Sequence, residues 1–266
     1  MTAETGTAER GVRRRGGALA AEWTKIRTLP STLWTLLTAF VLTVGIAAVY
    51  GIVLRDAYGD MDAKGRSTWD PVYSGLNGLT FGELGMVAFA VLVVGAEYST
   101  GTIRASLTAV PRRGLFYASQ LLAGTLLSLV VAVVTTYAAF FVSQAGIGPE
   151  HNASLGDPGV LRATLGACVY LTLLCLFSMG VAAMLRSSTL SLGVLIPLFF
   201  ILSEVLTNVS KVKTVAKYLP DEAGRQIMRL VPWDDKLGAW EGLWVMVAWT
   251  VAAVAGGYVM LRRREI

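Results

Sequence analysis

Two carboxylates within long apolar runs are the residues of this sequence with the clearest chemical potential. Glu83 and Glu204 each lie among mostly hydrophobic side chains. An ionisable side chain within a membrane-crossing run is costly to desolvate and indicates a functional site, here part of a substrate path. Each carboxylate could instead reach the membrane–water interface or accept a hydrogen bond from a neighbouring helix. The sequence leaves both interpretations open for Glu83 and favours the second for Glu204.

Pro197 is the third residue of the predicted substrate path and lies in the same apolar run as Glu204. Proline has no backbone N–H, so the carbonyl of Gly193 lacks its helical donor and the helix is expected to bend. Such a bend can widen a cavity, or it can simply fit the packing of neighbouring helices. The predicted path therefore involves the second and fifth apolar runs.

The sequence lacks the residues required for several kinds of catalysis. No phosphate-binding G-x-x-x-x-G-K-[ST] loop and no H-E-x-x-H zinc motif is present, and the position of the single histidine, His151, in a predicted outer loop argues against a Ser/His/Asp triad. Cys168 and Cys175 are seven residues apart in one apolar run, about 10 Å along a helix, which is too far for a disulfide. We expect no enzyme activity, metal site or cofactor in this chain.

Six apolar runs must position these residues. The chain of 266 residues is 54% hydrophobic and only 15% charged, with a mean hydropathy of +0.58, whereas soluble domains are roughly one-quarter charged. Runs of roughly 17–25 apolar residues can span a bilayer. The sequence predicts an all-α polytopic membrane protein with a disordered cytoplasmic tail, 1–17, and one transmembrane domain, 18–266. The predicted spans are about 33–54, 76–96, 121–145, 161–185, 190–206 and 243–261.

The distribution of basic residues predicts the orientation. An even number of spans places both termini on one side, and that side carries 13 Lys and Arg residues against 4 when the long 207–242 segment is set aside. Positive charge favours the cytoplasm, so we expect both termini to be cytoplasmic in a multi-pass plasma-membrane protein. The Arg13–Arg15 and Arg262–Arg264 clusters flank apolar runs and predict contact with lipid headgroups, not nucleic acid. No cleavage site for a signal peptide follows the first apolar run.

Two further segments have helical periodicity outside the spans. Residues 18–29 place Trp23 and Lys25 on different faces, which predicts an interfacial helix on the membrane surface. Residues 207–242 predict an amphipathic helix at the outer surface, and residues 55–75 predict a solvated outer loop. The apolar positions of the 207–242 helix are Val215, Leu219, Ala223, Ile227 and Leu230.

The Glu97–Arg113 segment between the second and third spans has the composition of a short helix. It begins with a carboxylate, ends in basic residues and contains Pro111 as a stop signal. On the predicted topology this helix lies in the cytoplasm, where it could be presented to a partner. The alternative is an amphipathic loop resting on lipid headgroups.

At this point the sequence resembles the membrane subunits of type 2 ATP-binding-cassette (ABC) exporters. The resemblance covers most of the chain and is carried by Glu22–Arg27, Phe81–Leu84, Glu97–Arg113 and the six-span order, with Glu97–Arg113 the most specific part. It implies that Glu97–Arg113 is a coupling helix seated in a groove of a separate ATPase subunit. It also implies that the 18–29 helix, with Trp23 and Lys25, is a connecting helix touching that subunit.

The resemblance assigns roles within the coupling helix. Glu97, Tyr98 and Arg104 would contact the ATPase subunit, and Thr102 and Ile103 would lie in the packed part of that contact. The family arrangement further implies two copies of the chain, or one copy with a homologous partner, around a path lined by spans two and five.

The function expected from these features is that of an ABC transporter permease. It would export a hydrophobic or amphipathic compound across the lipid bilayer, driven by ATP hydrolysis in a partner subunit. The competing class is a membrane scaffold or sensor that binds a cytoplasmic partner without transport. A secondary transporter would be expected to show internal repeats and discontinuous charged helices, and the sequence contains no convincing repeat.

Overall fold

The computed structural model of the chain describes residues 17, 20–25, 30–99, 101–103, 108, 112–209, 212–233 and 235–263, without the side chains of 204 and 208. Helices account for the regular structure, and the described residues contain no β-strand. The predicted all-α class is therefore confirmed. Residues 20–25 are helical, within the predicted 18–29 helix, whereas the predicted tail lies outside the described residues apart from Gly17.

Six helical stretches in the described part are long and apolar enough to cross a membrane, as predicted. Five of them extend beyond both predicted limits, because helical hydrogen bonding continues into flanking residues that a hydropathy pattern does not detect, whereas the fourth differs by one residue at its start. Span two includes a short helix, Pro71–Gly75, and a 3₁₀ turn, Leu76–Gly78, before its main helix, Leu79–Ser99. Numbered one to six, the spans are Pro30–Asp60, Pro71–Ser99, Arg113–Ile147, Val160–Leu185, Ser188–Thr207 and Ala239–Arg263.

Spans two and four form the centre of the bundle. In their most apolar windows 67% and 61% of the residues are buried, against 22–24% for spans one, five and six. Span two packs against spans one, three, four and five, and span four packs mainly against span six. Span two is therefore the element through which a displacement would reach most of the bundle.

The helices approach closely where one of them carries glycine. A Cβ atom at Gly78 would lie 2.5 Å from the carbonyl oxygen of Thr43, and one at Gly51 would lie 2.5 Å from that of Ser143. Small residues allow such contacts between helix backbones inside a membrane. Three glycines of span two, Gly78, Gly82 and Gly85, thus pack against span one of the same chain.

The two ends of the bundle differ in what they contain. We call the end that carries residues 20–25, 101–103, 108, 112, 186–187 and 263 the terminal end. The opposite end, formed by residues 61–70, 148–159, 208–209, 212–233 and 235–238, is the distal end. We call residues 208–238 the connector, because they join spans five and six.

The predicted outer amphipathic helix is wrong in one respect, because the connector is divided and partly buried. It contains the short helices Lys213–Ala216 and Pro220–Arg225 and the 3₁₀ turn Gln226–Met228. Pro220 cannot continue a preceding helix and begins a new one. Gly224 then allows the second helix to pack against the ring of Tyr170 in span four, so this part lies inside the distal end.

The predicted loop at 55–75 is largely exposed but contains helical turns. Span one continues to Asp60, and short helices follow at Ala63–Ser67 and Pro71–Gly75. Asp62 caps the first of these short helices through the backbone N–H of Gly65. Asparagine and aspartate are preferred at such N-terminal positions because their side chains satisfy free N–H groups.

Candidate functional site

The carboxylate of Glu97 is the centre of a buried network at the terminal end. It lies two residues before the end of span two and is only 2% exposed. The ammonium of Lys25 forms an ion pair and hydrogen bond with Oε1. The side-chain amide of Gln120, in span three, donates to Oε2 at 3.2 Å. One side chain of span two thus joins helix 20–25 to span three.

A second carboxylate adds negative charge to this network. Glu22 Oε2 lies 3.7 Å from Lys25 Nζ, one helical turn away, and Glu22 is also buried. Burial raises the pKa of Glu22, Lys25 opposes this rise, and Glu97 adds to it. Lys25 therefore lies between two carboxylates, Glu22 of its own helix and Glu97 of span two, and holds the end of span two near helix 20–25.

Arg186 extends the contacts at the terminal end to spans four and six. Its guanidinium lies over the ring of Tyr98, with Cζ 5.7 Å from the ring centre, and donates to the carbonyl of Met260 at 2.7 Å. Arg186 has a positive φ of 55° where span four ends. Arg113 similarly donates to the carbonyl of Leu261 at 3.0 Å. The end of span two is thus tied to the ends of spans four and six.

The predicted coupling residues have different surroundings. Ile103 is buried, Thr102 is exposed and Trp23 is 41% exposed. Glu97 and Lys25 contact each other, and Glu97 points inward with both oxygens engaged. Arg104, predicted as a polar contact, lies outside the described residues. Sequence reasoning missed Gln120 and Arg186, although a polar residue near the start of a span and an arginine in a tight turn between spans are visible in the sequence.

At the distal end Glu83 forms a buried ion pair with the connector. Arg225 donates through Nε to Oε1 at 3.0 Å and through Nη2 to Oε2, and Glu83 is 2% exposed. This two-point geometry is the strong form of an arginine–carboxylate pair. The sequence left two interpretations open for Glu83. The structure shows the second of them, in which the carboxylate accepts hydrogen bonds from a neighbouring element.

Two further contacts fasten the connector. Asp70 accepts hydrogen bonds from the backbone N–H groups of Leu230 and Val231 at 2.7 and 3.3 Å. The guanidinium of Arg229 lies between the rings of Tyr73 and Trp233, 3.8 and 3.9 Å from their centres. Stacking on two rings stabilises a desolvated arginine. The connector is therefore held to span two by charge, hydrogen bonds and aromatic packing.

The other predicted path residues belong to span five. Helix Ser188–Pro197 ends at the exposed Pro197, a π-helical turn follows at Leu198–Leu202, and a third helical piece covers Ser203–Asn208. The irregular backbone thus lies immediately after the proline. Nothing is described of the Glu204 side chain. Spans two and five pack together, but Glu83 turns towards Arg225 and not towards Pro197.

Three cavities among the described residues are either small or open to the side of the bundle. A cavity of about 30 Å³ borders Glu83 and Arg225, well below the roughly 300–1,000 Å³ of small-molecule sites. A cleft of about 390 Å³ lies between spans one and two, and one of about 660 Å³ lies between spans three, four and six. Apolar side chains line most of both clefts, which suits a lipid tail or an apolar compound.

No model of a known protein family matches this sequence, and no curated protein is significantly similar to it.

Proposed function

We propose that this chain is the membrane subunit of an ATP-driven exporter and that its terminal end is cytoplasmic and contacts a separate ATPase subunit. The resemblance of Glu22–Arg27 and Glu97–Arg113 to type 2 ABC exporter permeases supports this function. The observation that carries the proposal is the pair between the partly buried Lys25 and the buried Glu97, completed by Gln120. It joins the two segments that the resemblance assigns to the ATPase contact.

A transport subunit needs this kind of rigid connection. Binding of ATP by a partner can drive a two-state change only if it acts differently on the two states. Shifting a population from 1:99 to 99:1 requires about 5.5 kcal/mol. Removing one partner of a buried ion pair costs about 3–5 kcal/mol, because the other charge is left buried without its counter-ion, so the Lys25–Glu97 contact favours keeping helix 20–25 joined to span two in both states. Glu97 is therefore a positioning residue of the proposed contact surface.

The transport path is part of the same proposal. Spans one, five and six expose most of their surface, and these faces suit a second copy of the chain or a homologous permease. The apolar linings of the two larger clefts favour a hydrophobic or amphipathic compound. The path would lie between two subunits, next to spans two and five, in the plasma membrane.

Removing the charge of Glu97 should uncouple the ATPase. We expect Glu97→Gln to reduce stimulation of a co-expressed ABC-type ATPase about ten-fold, which corresponds to a coupling free energy of about 1.4 kcal/mol. The reason is that Lys25 loses its buried partner and helix 20–25 no longer moves with span two. The measurement is ATP hydrolysis by the purified complex in lipid nanodiscs, together with the yield of co-purified ATPase.

Two control variants distinguish loss of the Lys25–Glu97 ion pair from general damage to the protein. The exchanged pair Lys25→Glu with Glu97→Lys should recover part of the stimulation, and Lys64→Gln, an exposed lysine at the distal end, should retain all of it. Equal stimulation by the wild type, Glu97→Gln and Lys64→Gln would contradict the proposal. Co-purification of an ATPase with no stimulation in the wild type would favour a scaffold or sensor instead.

A further inference from the structure

Asp221 is a buried carboxylate that the proposed function does not use. It lies in the helix Pro220–Arg225 and has no exposed surface. Its Oδ1 lies 2.8 Å from the hydroxyl of Ser203 in span five, whereas its Oδ2 is buried without a hydrogen-bond partner. A buried carboxylate that lacks partners for its charged form favours the neutral form.

The charged groups around Asp221 are already paired with one another. Arg225, on the same helix, forms the two-point pair with Glu83 of span two. Glu222 pairs with Lys236 at 2.7 Å. Tyr170 faces the cluster from span four, and span six contributes Gly242 and Met246 to the packing of this helix. An ionised Asp221 would therefore add a negative charge to a cluster in which Arg225 and Lys236, the described cations, already have carboxylate partners.

The hydrogen bonds of Ser203 distinguish the two protonation states of Asp221. The hydroxyl lies within bonding distance of two acceptors, Asp221 Oδ1 at 2.8 Å and the carbonyl oxygen of Leu198 at 2.9 Å. A protonated Asp221 can donate to the Ser203 oxygen, which leaves the serine hydrogen for Leu198. An ionised Asp221 attracts the serine hydrogen more strongly than a neutral carbonyl does, so Leu198 loses that bond.

We propose that Asp221 is a proton-binding site at the distal end, at which uptake of one proton transfers the Ser203 hydroxyl bond from Asp221 to Leu198. The proton comes from water and resides on a carboxylate oxygen of Asp221. Leu198 begins the π-helical turn of span five, and such turns are frequent at functional sites. The site thus links the proton concentration at the distal end to the irregular turn that follows Pro197. This inference does not rest on the proposed export function.

The expected titration falls in the neutral range. Desolvation raises the pKa of Asp221 to about 7, against the opposing effects of Arg225 and Ser203, and Glu222 and Glu83 raise it further. The pKa of Asp221 in the folded state lies above the ordinary value of 3.8. Asp221 therefore contributes its full stabilisation when the pH is below 3.8. This stabilisation is lost as the pH rises through about 7, so the wild type should become less stable between pH 5 and pH 8.

Infrared difference spectroscopy of the full-length protein in nanodiscs tests the site. We expect the C=O band of a protonated carboxyl group to disappear with a midpoint near pH 7 in the wild type. The band should be missing in Asp221→Asn and present in Asp235→Asn, which changes an exposed aspartate of the same connector. A band with an unchanged midpoint in Asp221→Asn, or no titrating band in the wild type, would overturn the proposal.

Two further variants test the site without changing Asp221 itself. Ser203→Ala removes a donor to the charged carboxylate and should raise the midpoint, whereas Glu83→Gln frees Arg225 and should lower it. We expect shifts of about one pH unit, a ten-fold change in proton affinity. Opposite shifts support the site, and an unchanged midpoint in both variants rules it out.

Discussion

Replacing Arg225 by glutamine is expected to lower the free energy of unfolding by about 3–5 kcal/mol. The change leaves Glu83 buried inside span two without the guanidinium that accounts for both of its side-chain hydrogen bonds. It also loosens the connector, which Arg225 anchors to the central span. The measurement is denaturant unfolding in detergent micelles, analysed where the transition is two-state.

Two controls identify the ion pair as the cause. The double variant Glu83→Gln with Arg225→Gln removes both charges and should recover most of the lost stability, because neither leaves an unpaired charge behind. Lys213→Gln removes a cation from the exposed Lys213–Asp235 pair of the same connector and should change stability little. Equal losses in Arg225→Gln and Lys213→Gln would show that the buried pair does not hold the connector.

Gly180→Ala is expected to destabilise the bundle by about 1–3 kcal/mol or more. A Cβ atom at this position would lie 2.6 Å from the backbone carbonyl carbon of Ala253 and 2.8 Å from the nitrogen of Val254. These are backbone atoms of span six, so they cannot rotate away, and spans four and six must separate. Thermal unfolding followed by size-exclusion chromatography in detergent measures the effect.

Gly45→Ala provides the matched control for this steric effect. Gly45 lies in the middle of span one, and a Cβ atom there would meet nothing within 4 Å. The same chemical change should therefore be neutral or slightly stabilising, because alanine favours helix over glycine by about 1 kcal/mol. A loss of stability in Gly45→Ala as large as in Gly180→Ala would contradict the close contact between spans four and six.

The six spans and the all-α class were predictable because long apolar runs carry a strong and local signal. The division of the connector into short buried helices was not predictable. Its apolar spacing at Val215, Ala223 and Ile227 is the same for a helix on a surface and for short helices packed into a bundle. The break at Pro220 was visible in the sequence. The burial of the connector depends on Gly242 of span six and on Glu83 of span two, which are distant from it in sequence.

The pairing of candidate site residues also lay beyond the sequence. Glu83, Glu97 and Lys25 were recognised individually from their types and positions. Their partners come from elsewhere, since Lys25 is separated from Glu97 by 72 residues and Arg225 from Glu83 by 142. No local pattern encodes contacts at such distances, and only the packing of spans determines them.

Span two carries two buried carboxylates, Glu83 and Glu97, which contact different ends of the bundle. Glu97 pairs with helix 20–25 at the terminal end, and Glu83 pairs with the connector nearer the distal end. They are about 21 Å apart along one helix, at 1.5 Å per residue. A helix between two fixed contacts can move both together. We therefore propose that span two relays a displacement from the proposed ATPase contact to the distal end.

Thiol labelling of a Thr102→Cys variant is the most direct test of this proposal. Thr102 is exposed beside the end of span two, and the two native cysteines, Cys168 and Cys175, are buried, so background labelling should be low. With a membrane-impermeant reagent we expect no labelling in intact cells, labelling in inverted vesicles, and protection when the ATPase subunit is bound. Labelling of the Thr102→Cys variant in intact cells, above the background of the wild type, would place this segment outside the cell and contradict an ATPase contact there.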